Sequence, residues 1–392
     1  MTEATAPESI GTPVLAGVVT AVVGFTSSFA VVLAGLQAVG ATAAQSASGL
    51  LVLSLTMGLG CVLLALWTRR PITIAWSTPG AALLATAAAP AGGFTEAVGA
   101  FAITGVLLAL TGLVPVLGRL VRMIPTAIAS AMLAGVLLSL CLAPFRDLPS
   151  SPVAIGSVLV VWALLTRLAP RWAVPGALVA ALVTMAVSGA FAEADWAAVT
   201  PRLEWVSPSF SWAAVVSIAV PLYLVTMTSQ NIPGVTVMAS LGYETPWRAA
   251  LGYTGLATVV GAPFGGHAIN LAAISAALAA GPEAGRDPSR RWVAAVVAGA
   301  GYTVLGLAGG VVVALAGAAP VGLFAAVAAV GLLSSLVGSL QHAVADADLL
   351  IPAVVTVVVA TSGLTVAGVG SAFWALVAGC LLAVLLQWRR ST

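Results

Sequence analysis

The sequence predicts an all-α polytopic membrane protein, with fourteen transmembrane segments arranged as two inverted seven-segment repeats, segments three and ten each being a short strand plus a half-helix. Three observations carry this: a near absence of charge, a succession of long apolar runs, and the placement of the arginines. Of 392 residues, 61% are hydrophobic and 7% are charged, against about 25% charged in soluble chains. So few charges cannot cover a water-facing surface of this size. A surface solvated by lipid tails needs none.

A helical span takes about 20 apolar residues. The first half offers segments near 13–38, 46–67, 71–90, 94–114, 124–143, 152–168 and 173–191. The longest polar stretch, 193–209, divides the chain into near-equal halves. The second half offers 211–240, 247–262, 263–281, 291–317, 320–340, 349–367 and 370–388.

The arginines test this count. All 14 cationic residues are arginine. With the N-terminus inside, the inward connections hold Arg69, Arg70, Arg119, Arg122, Arg167, Arg171, Arg248, Arg286, Arg290, Arg291, Arg389 and Arg390. The outward ones hold Arg146 and Arg202. That is the positive-inside bias, and one missed or invented span would scramble its second half. Both termini are therefore expected in the cytoplasm. An odd number of spans per half places the halves in opposite orientations, which is an inverted repeat.

Several function classes are disfavoured. A net charge of +2 is too small to argue for a nucleic-acid partner. Cys61, Cys141 and Cys380 sit in apolar runs without metal or disulfide spacing, so no metal site is expected. No HExxH, GxSxG or P-loop pattern occurs, which argues against an enzyme. No cofactor is expected either. Residues 1–13 hold Glu3 and Glu8 and no basic residue, unlike a signal peptide. The location expected is a bacterial cytoplasmic membrane.

Two segments are broken, and they hold matching places, third and tenth. In the third, Pro71 through Trp76 alternates and is β-branched, so it reads as extended. Ser77 or Thr78 then caps a half-helix carrying Pro79 in its first turn. In the tenth, Pro263 and Gly265-Gly266 disfavour helix, and the pattern reads as helical from Ala268 onward. Each half-helix would start near the bilayer midplane. Two N-termini facing each other, each with about half a positive charge and unpaired N–H groups, form an anion site without a buried arginine. The plain alternative is a pair of Gly/Pro kinks without a ligand.

Two further irregularities stand out. Segment eight carries Thr226-Met-Thr-Ser-Gln230-Asn231-Ile-Pro233, in which Gln230 and Asn231 are costly to bury without partners. They form either a recognition patch or interhelical hydrogen bonds beside a proline kink. Segment one carries Thr26, Ser27 and Ser28 beside Phe25. Phe25 reads as core packing or as a stacking surface for a ring.

The strings Pro71-Ile-Thr-Ile-Ala-Trp76-Ser77-Thr78-Pro79-Gly80, Ser229-Gln-Asn-Ile-Pro-Gly234 and Pro263-Phe264-Gly-Gly266-His267-Ala-Ile-Asn270 resemble the benzoate/proton symporters of the BenE type. The likeness runs along essentially the whole chain. This family is similar in architecture to nucleobase, anion-exchanger and sulfate carriers with seven-plus-seven repeats. The resemblance implies a core domain, residues 1–117 and 206–318, and a gate domain, residues 118–205 and 319–392. It implies alternating access by movement of one against the other, and a homodimer through the gate. In similar nucleobase carriers two glutamates hold the ring, and the matching positions here are Gln230 and His267. Loss of both carboxylates fits an anionic substrate.

The function expected is therefore import of benzoate, or a related aromatic carboxylate, by proton symport. The carboxylate would lie near Ser77, Thr78, Gly266 and His267, and the ring near Phe25, Trp76 and Phe264. Ser28, Gln230, Asn231 and Asn270 would complete the substrate site. His267 is the candidate for proton coupling, because imidazole titrates near neutrality. The group His342, Asp346 and Asp348 reads as a gate-side relay or a solvated loop. The competing functions are a nucleobase or inorganic-anion carrier of the same fold, and an uncoupled anion channel.

Overall fold

The structure is a computed structural model that describes residues 10–196 and 199–391. Residues 1–9, with Glu3 and Glu8, lie outside the described residues. The first half contains α1 (Gly11–Thr26), α2 (Phe29–Ala38), α3 (Ala43–Thr68), β1 (Ile74–Trp76), α4 (Thr78–Thr86), α5 (Phe94–Leu113), α6 (Pro115–Met123), α7 (Thr126–Asp147), α8 (Pro152–Leu168) and α9 (Ala173–Ser188). The second contains α10 (Trp212–Ser240), α11 (Trp247–Gly261), β2 (Ile269–Leu271), α12 (Ile274–Ala280), α13 (Trp292–Leu307), α14 (Gly309–Ala318), α15 (Leu323–Ala343), α16 (Leu350–Thr361) and α17 (Ser371–Ser391). Among the described residues, seven helices are long and apolar enough to cross a membrane, and the pair α13–α14, bent by 50°, makes an eighth if it is one span. The chain is a mostly helical, polytopic membrane protein.

Three expectations are corrected. The tenth segment is a short strand plus a half-helix, as expected, but the strand β2 occupies residues 269–271 and α12 starts at Ile274, not at Ala268. The reason is tertiary. Ile269–Leu271 finds a partner strand in β1, whose edge would otherwise be unpaired inside the protein. Residues 115–123, expected as a connection, form the helix α6, with Pro115 in its first turn. Its apolar residues Val116, Leu120 and Met123 are exposed, and it joins α5 to α7. Helix α16 ends at Thr361, short of 367, because Gly363, Ala367 and Gly368 turn through positive φ.

Small residues set the helix crossings. A β-carbon at Gly58 of α3 would fall 2.6 Å from the Gly299 carbonyl oxygen of α13, and one at Gly299 would fall 2.5 Å from that of Gly58. The same reciprocal contact recurs between Gly105 of α5 and Gly255 of α11, at 2.7 and 2.6 Å. Backbones approach this closely only where both residues lack a side chain, the usual device of packed membrane helices.

The strands β1 and β2 pair antiparallel, with Ile74 opposite Leu271, Ala75 opposite Asn270 and Trp76 opposite Ile269. This ladder satisfies backbone groups at a depth where water cannot. Ser77 N–H extends it to the Ala268 carbonyl at 2.9 Å, and Ala272 N–H to that of Thr73 at 3.0 Å. The main core surrounds it, with Phe25, Phe29, Leu36, Leu53, Ile74 and Leu222 buried together. A second cluster joins α8, α9 and α15 through Ile155, Val158, Met185, Leu323 and Val327.

Candidate functional site

The strand ladder brings the two broken segments together, and α1–α2 and α10 close around them. In segment three Ser77 is the N-cap of α4. Its hydroxyl accepts from Gly80 N–H at 3.1 Å and shares a 2.8 Å hydrogen bond with the Thr226 hydroxyl of α10. Pro79 has no N–H to satisfy. The sequence thus consumes most donors of this helix start and leaves Thr78 at its opening.

Helix α10 widens into a π-turn over Met227–Asn231, a feature that recurs at functional sites. The turn sends neighbouring amides in different directions. Asn231 is buried, and its Oδ1 accepts from Leu271 N–H of β2 at 3.0 Å. Gln230 points elsewhere. Its amide and the Thr78 hydroxyl make no hydrogen bond to any described residue, although Gln230 is only 8% exposed.

Both side chains line a chamber of about 70 Å³, together with Ser28, Trp76, Met57 and Tyr302. Trp76 donates from Nε1 to the Ser28 hydroxyl at 2.8 Å. Phe25 packs on Trp76 at 5.2 Å and stacks on Phe29 at 5.8 Å. The chamber opens past Gln230, Ala273 and Ser335 into a vestibule of about 300 Å³ between α4, α7, α10 and α15. The outermost residues of the vestibule, Thr126 and His342, stand at helix ends, Thr126 just after α6, which carries Arg119. On the opposite side the route is closed. Phe29 meets Phe324 edge-on at 6.0 Å. Gly331 of α15 lies so close to α1 that a β-carbon there would fall 2.1 Å from the Ser27 carbonyl oxygen.

The expected residues therefore divide. Ser28, Trp76, Thr78 and Gln230 line the chamber; Phe25 and Ser77 support its wall; Asn231 and Asn270 stand behind it. Asn270 donates to the Leu271 carbonyl at 2.8 Å, and its Oδ1 has no protein partner. Phe264, Gly266 and His267 line neither chamber nor vestibule, which corrects their expected place at a half-helix N-terminus. Because β2 intervenes before α12, they lie at the far end of the ladder. Phe264 packs on Trp205 at 5.4 Å. Gly266 N–H donates to the Gly261 carbonyl at 3.0 Å. His267 is fully buried, accepts from Ala268 N–H at Nδ1, and meets Phe101 edge-on at 6.4 Å.

Met57, Ser275, Tyr302 and Ser335 join the site without having been expected there. Ser334-Ser335, two adjacent hydroxyls inside an apolar run, were the legible signal in the sequence. Met57 and Tyr302 offered none. Among the described residues no cluster of metal-ligating side chains occurs.

A small chamber lined by Trp76, Tyr302 and the unpaired Gln230 amide, sharing its wall with a larger vestibule, has the chemistry to hold a small solute. The comparisons agree. Residues 8–385 match the model of the BenE family, described as benzoate membrane transport protein. The chain belongs to that family, a family of membrane transport proteins rather than enzymes. It is 40% identical to the "Inner membrane protein YdcO" of Escherichia coli (strain K12) over 375 residues, 95% of each chain. It is 30% identical to the "Benzoate membrane transport protein" of Acinetobacter baylyi over 325 residues, covering 83% of this chain and 82% of that one. Among solved structures, the transmembrane domain of the cyanobacterial bicarbonate transporter BicA superposes with a TM-score of 0.58 at 16% identity, over 95% of this chain and 96% of that one. SLC26A9 superposes at 0.67 and 15% identity, over 97% of this chain and 66% of that one. At such identities these two establish the fold alone.

Proposed function

We propose that the protein imports benzoate, or a closely related aromatic carboxylate, across a bacterial inner membrane with a proton. The observation that carries this reading is the chamber itself. The Gln230 amide and the Thr78 hydroxyl, at the start of α4, are unpaired donors beside the indole of Trp76. The Gln230 amide reaches the chamber without a protein partner, and its N–H can donate to a ligand carboxylate, a hydrogen bond to a charged group. The N-terminus of α4 favours the negative charge. An aromatic wall suits a ring better than a small inorganic anion.

The topology that supports this reading has fourteen spans in two inverted repeats, with the arginine-rich face and both termini in the cytoplasm. Its support is the pseudo-symmetry of contacts. The α3–α13 crossing at Gly58 and Gly299 has its counterpart in the α5–α11 crossing at Gly105 and Gly255, as exchange of the halves requires. Residues 1–117 and 206–318 form the core domain, and residues 118–205 and 319–392 form the gate, through which two copies associate. Vestibule and closed side then describe an inward-facing carrier that alternates by moving core against gate.

A substrate panel in proteoliposomes tests the proposal. Radiolabelled benzoate is expected to accumulate when the outside is acidic, and an uncoupler to abolish the accumulation. Substituted benzoates compete; uracil and sulfate do not. Accumulation without a pH gradient, or equal competition by sulfate, overturns the reading.

A further inference from the structure

The hydroxyls of this membrane protein fall into two groups. Away from the site, serines and threonines in the helices bond back to their own carbonyls: Thr20 to Ala16, Thr111 to Leu107, Thr184 to Ala180 and Thr356 to Pro352, at 2.7 to 2.9 Å. Such bonding is how a hydroxyl is accommodated in a helix away from water. Around the vestibule Thr228 keeps the pattern, bonding to the Leu224 carbonyl at 2.8 Å, and the other hydroxyls do not. Thr126 and Ser130 of α7, and Ser334, Ser335 and Ser339 of α15, all line it and make no hydrogen bond within the described protein. Ser335, Ser339 and His342 are spaced four and three residues apart, so they form one stripe along α15.

His342 ends that stripe at the mouth. Among the described residues it is the only titratable side chain lining the vestibule. One ring nitrogen is committed: Nδ1–H donates to the Gly338 carbonyl at 2.7 Å. In that tautomer the neutral ring has only an acceptor, Nε2, to present to a ligand. It becomes a donor to an anion only after taking a proton.

We infer that the vestibule is a second, transient carboxylate site on the inner route, in which His342 binds the substrate carboxylate through a protonated Nε2 while the free hydroxyls of α7 and α15 solvate it. The inference rests on the carboxylate reading of the chamber. A proton from solvent joins Nε2 when the anion docks, and returns to solvent when the anion leaves. Occupancy of the vestibule therefore falls as the interior becomes alkaline.

Among the described residues no other charge lines the vestibule. Asp346 and Asp348 follow in the next turn, where the Asp346 carboxylate accepts from Asp348 N–H at 2.9 Å. Among the helices packed against α15, α7 carries Arg146 and Asp147 and α8 carries Arg167, while α2, α9 and α16 carry no charge. None of these charged residues lines the vestibule. Asp147 lies beside Gly322, at the opposite end of α15.

The test is benzoate counterflow by the full-length protein in proteoliposomes, with the inner half-saturation concentration measured as the internal pH is raised. For the wild type it is expected to rise by about fivefold or more between about pH 6 and about pH 8. His342→Gln is expected to hold the alkaline value at every pH. His342→Lys, charged throughout this range, is expected to hold the acid value, and it decides the matter if the glutamine variant does not fold. A pH dependence that survives in either active variant overturns the role of His342 and leaves the chamber reading standing. A wild type that shows no benzoate counterflow at any pH overturns both.

Discussion

Segments three and ten face each other across one strand ladder, yet they are finished differently. After β1 a single residue, Ser77, leads into α4, which has nine residues and a side-chain cap. After β2 come Ala272 and Ala273, then α12 with seven residues and no side-chain cap. The anchoring of segment ten lies elsewhere. Asn231 holds Leu271 N–H from α10. At the far end Arg291, 7% exposed, donates to the carbonyls of Ala280 and Gly285 at 2.9 and 2.8 Å. A cation there complements the C-terminal end of α12. A matched pair of breaks thus need not carry matched roles: segment three presents a capped helix start to the chamber, and segment ten is held from behind.

The sharpest break of this comparison is at Gln230, which faces the chamber from the same π-turn that anchors segment ten. Gln230→Leu should raise the half-saturation concentration for benzoate by at least about tenfold, the loss of one hydrogen bond to a charged group at about 1.5–3 kcal/mol. Thermal stability should hardly change, and a melting curve beside the uptake assay separates the two.

Asn231→Leu acts on the anchor. It leaves the Leu271 N–H buried without an acceptor, at a cost of about 1–3 kcal/mol. A lowered thermal midpoint of the detergent-purified protein is expected, with turnover reduced through the mispositioned ladder. Ser77→Ala tests the opposite segment. Loss of a helix N-cap costs about 0.5–2 kcal/mol, and the Thr226 hydroxyl loses its partner as well. A smaller fall in midpoint than for Asn231→Leu, with weakened benzoate affinity, would sharpen the contrast between capped and anchored segments.

The smallest effect is expected at His267. Because it packs on Phe101 outside both cavities, His267→Gln should keep proton-driven benzoate accumulation and leave half-saturation nearly unchanged. Loss of accumulation with binding intact would return the coupling role to this residue.

Much of the fold was legible because its causes are local. Apolar runs of membrane length, Pro79 and Ser77 at a helix start, and the β-branched alternation before Trp76 each act within a few residues. The near match of predicted and observed helix ends follows from that. The site was legible to the extent that its residues sit in such local breaks, as Trp76, Thr78 and Gln230 do. The strand of segment ten was placed too early, because the Ala-Ile-Asn-Leu-Ala-Ala string at 268–273 satisfies either a helical or an extended reading. Only the free edge of β1, some two hundred positions away in the sequence, makes the extended form the stable one.

By itself the sequence determined the solvent of this protein, the two places where its helices must break, and the family to which it belongs, since each follows from composition and short-range chemistry. The tertiary structure decided which side of each break faces a ligand. Once β2 paired with β1, His267 was carried into the packed interior behind the ladder. The hydroxyl stripe of α15, far off in the chain, was brought to the mouth of the route. Side-chain direction in a ladder or a π-turn is fixed by the partner strand or helix, and no residue's immediate neighbours encode it.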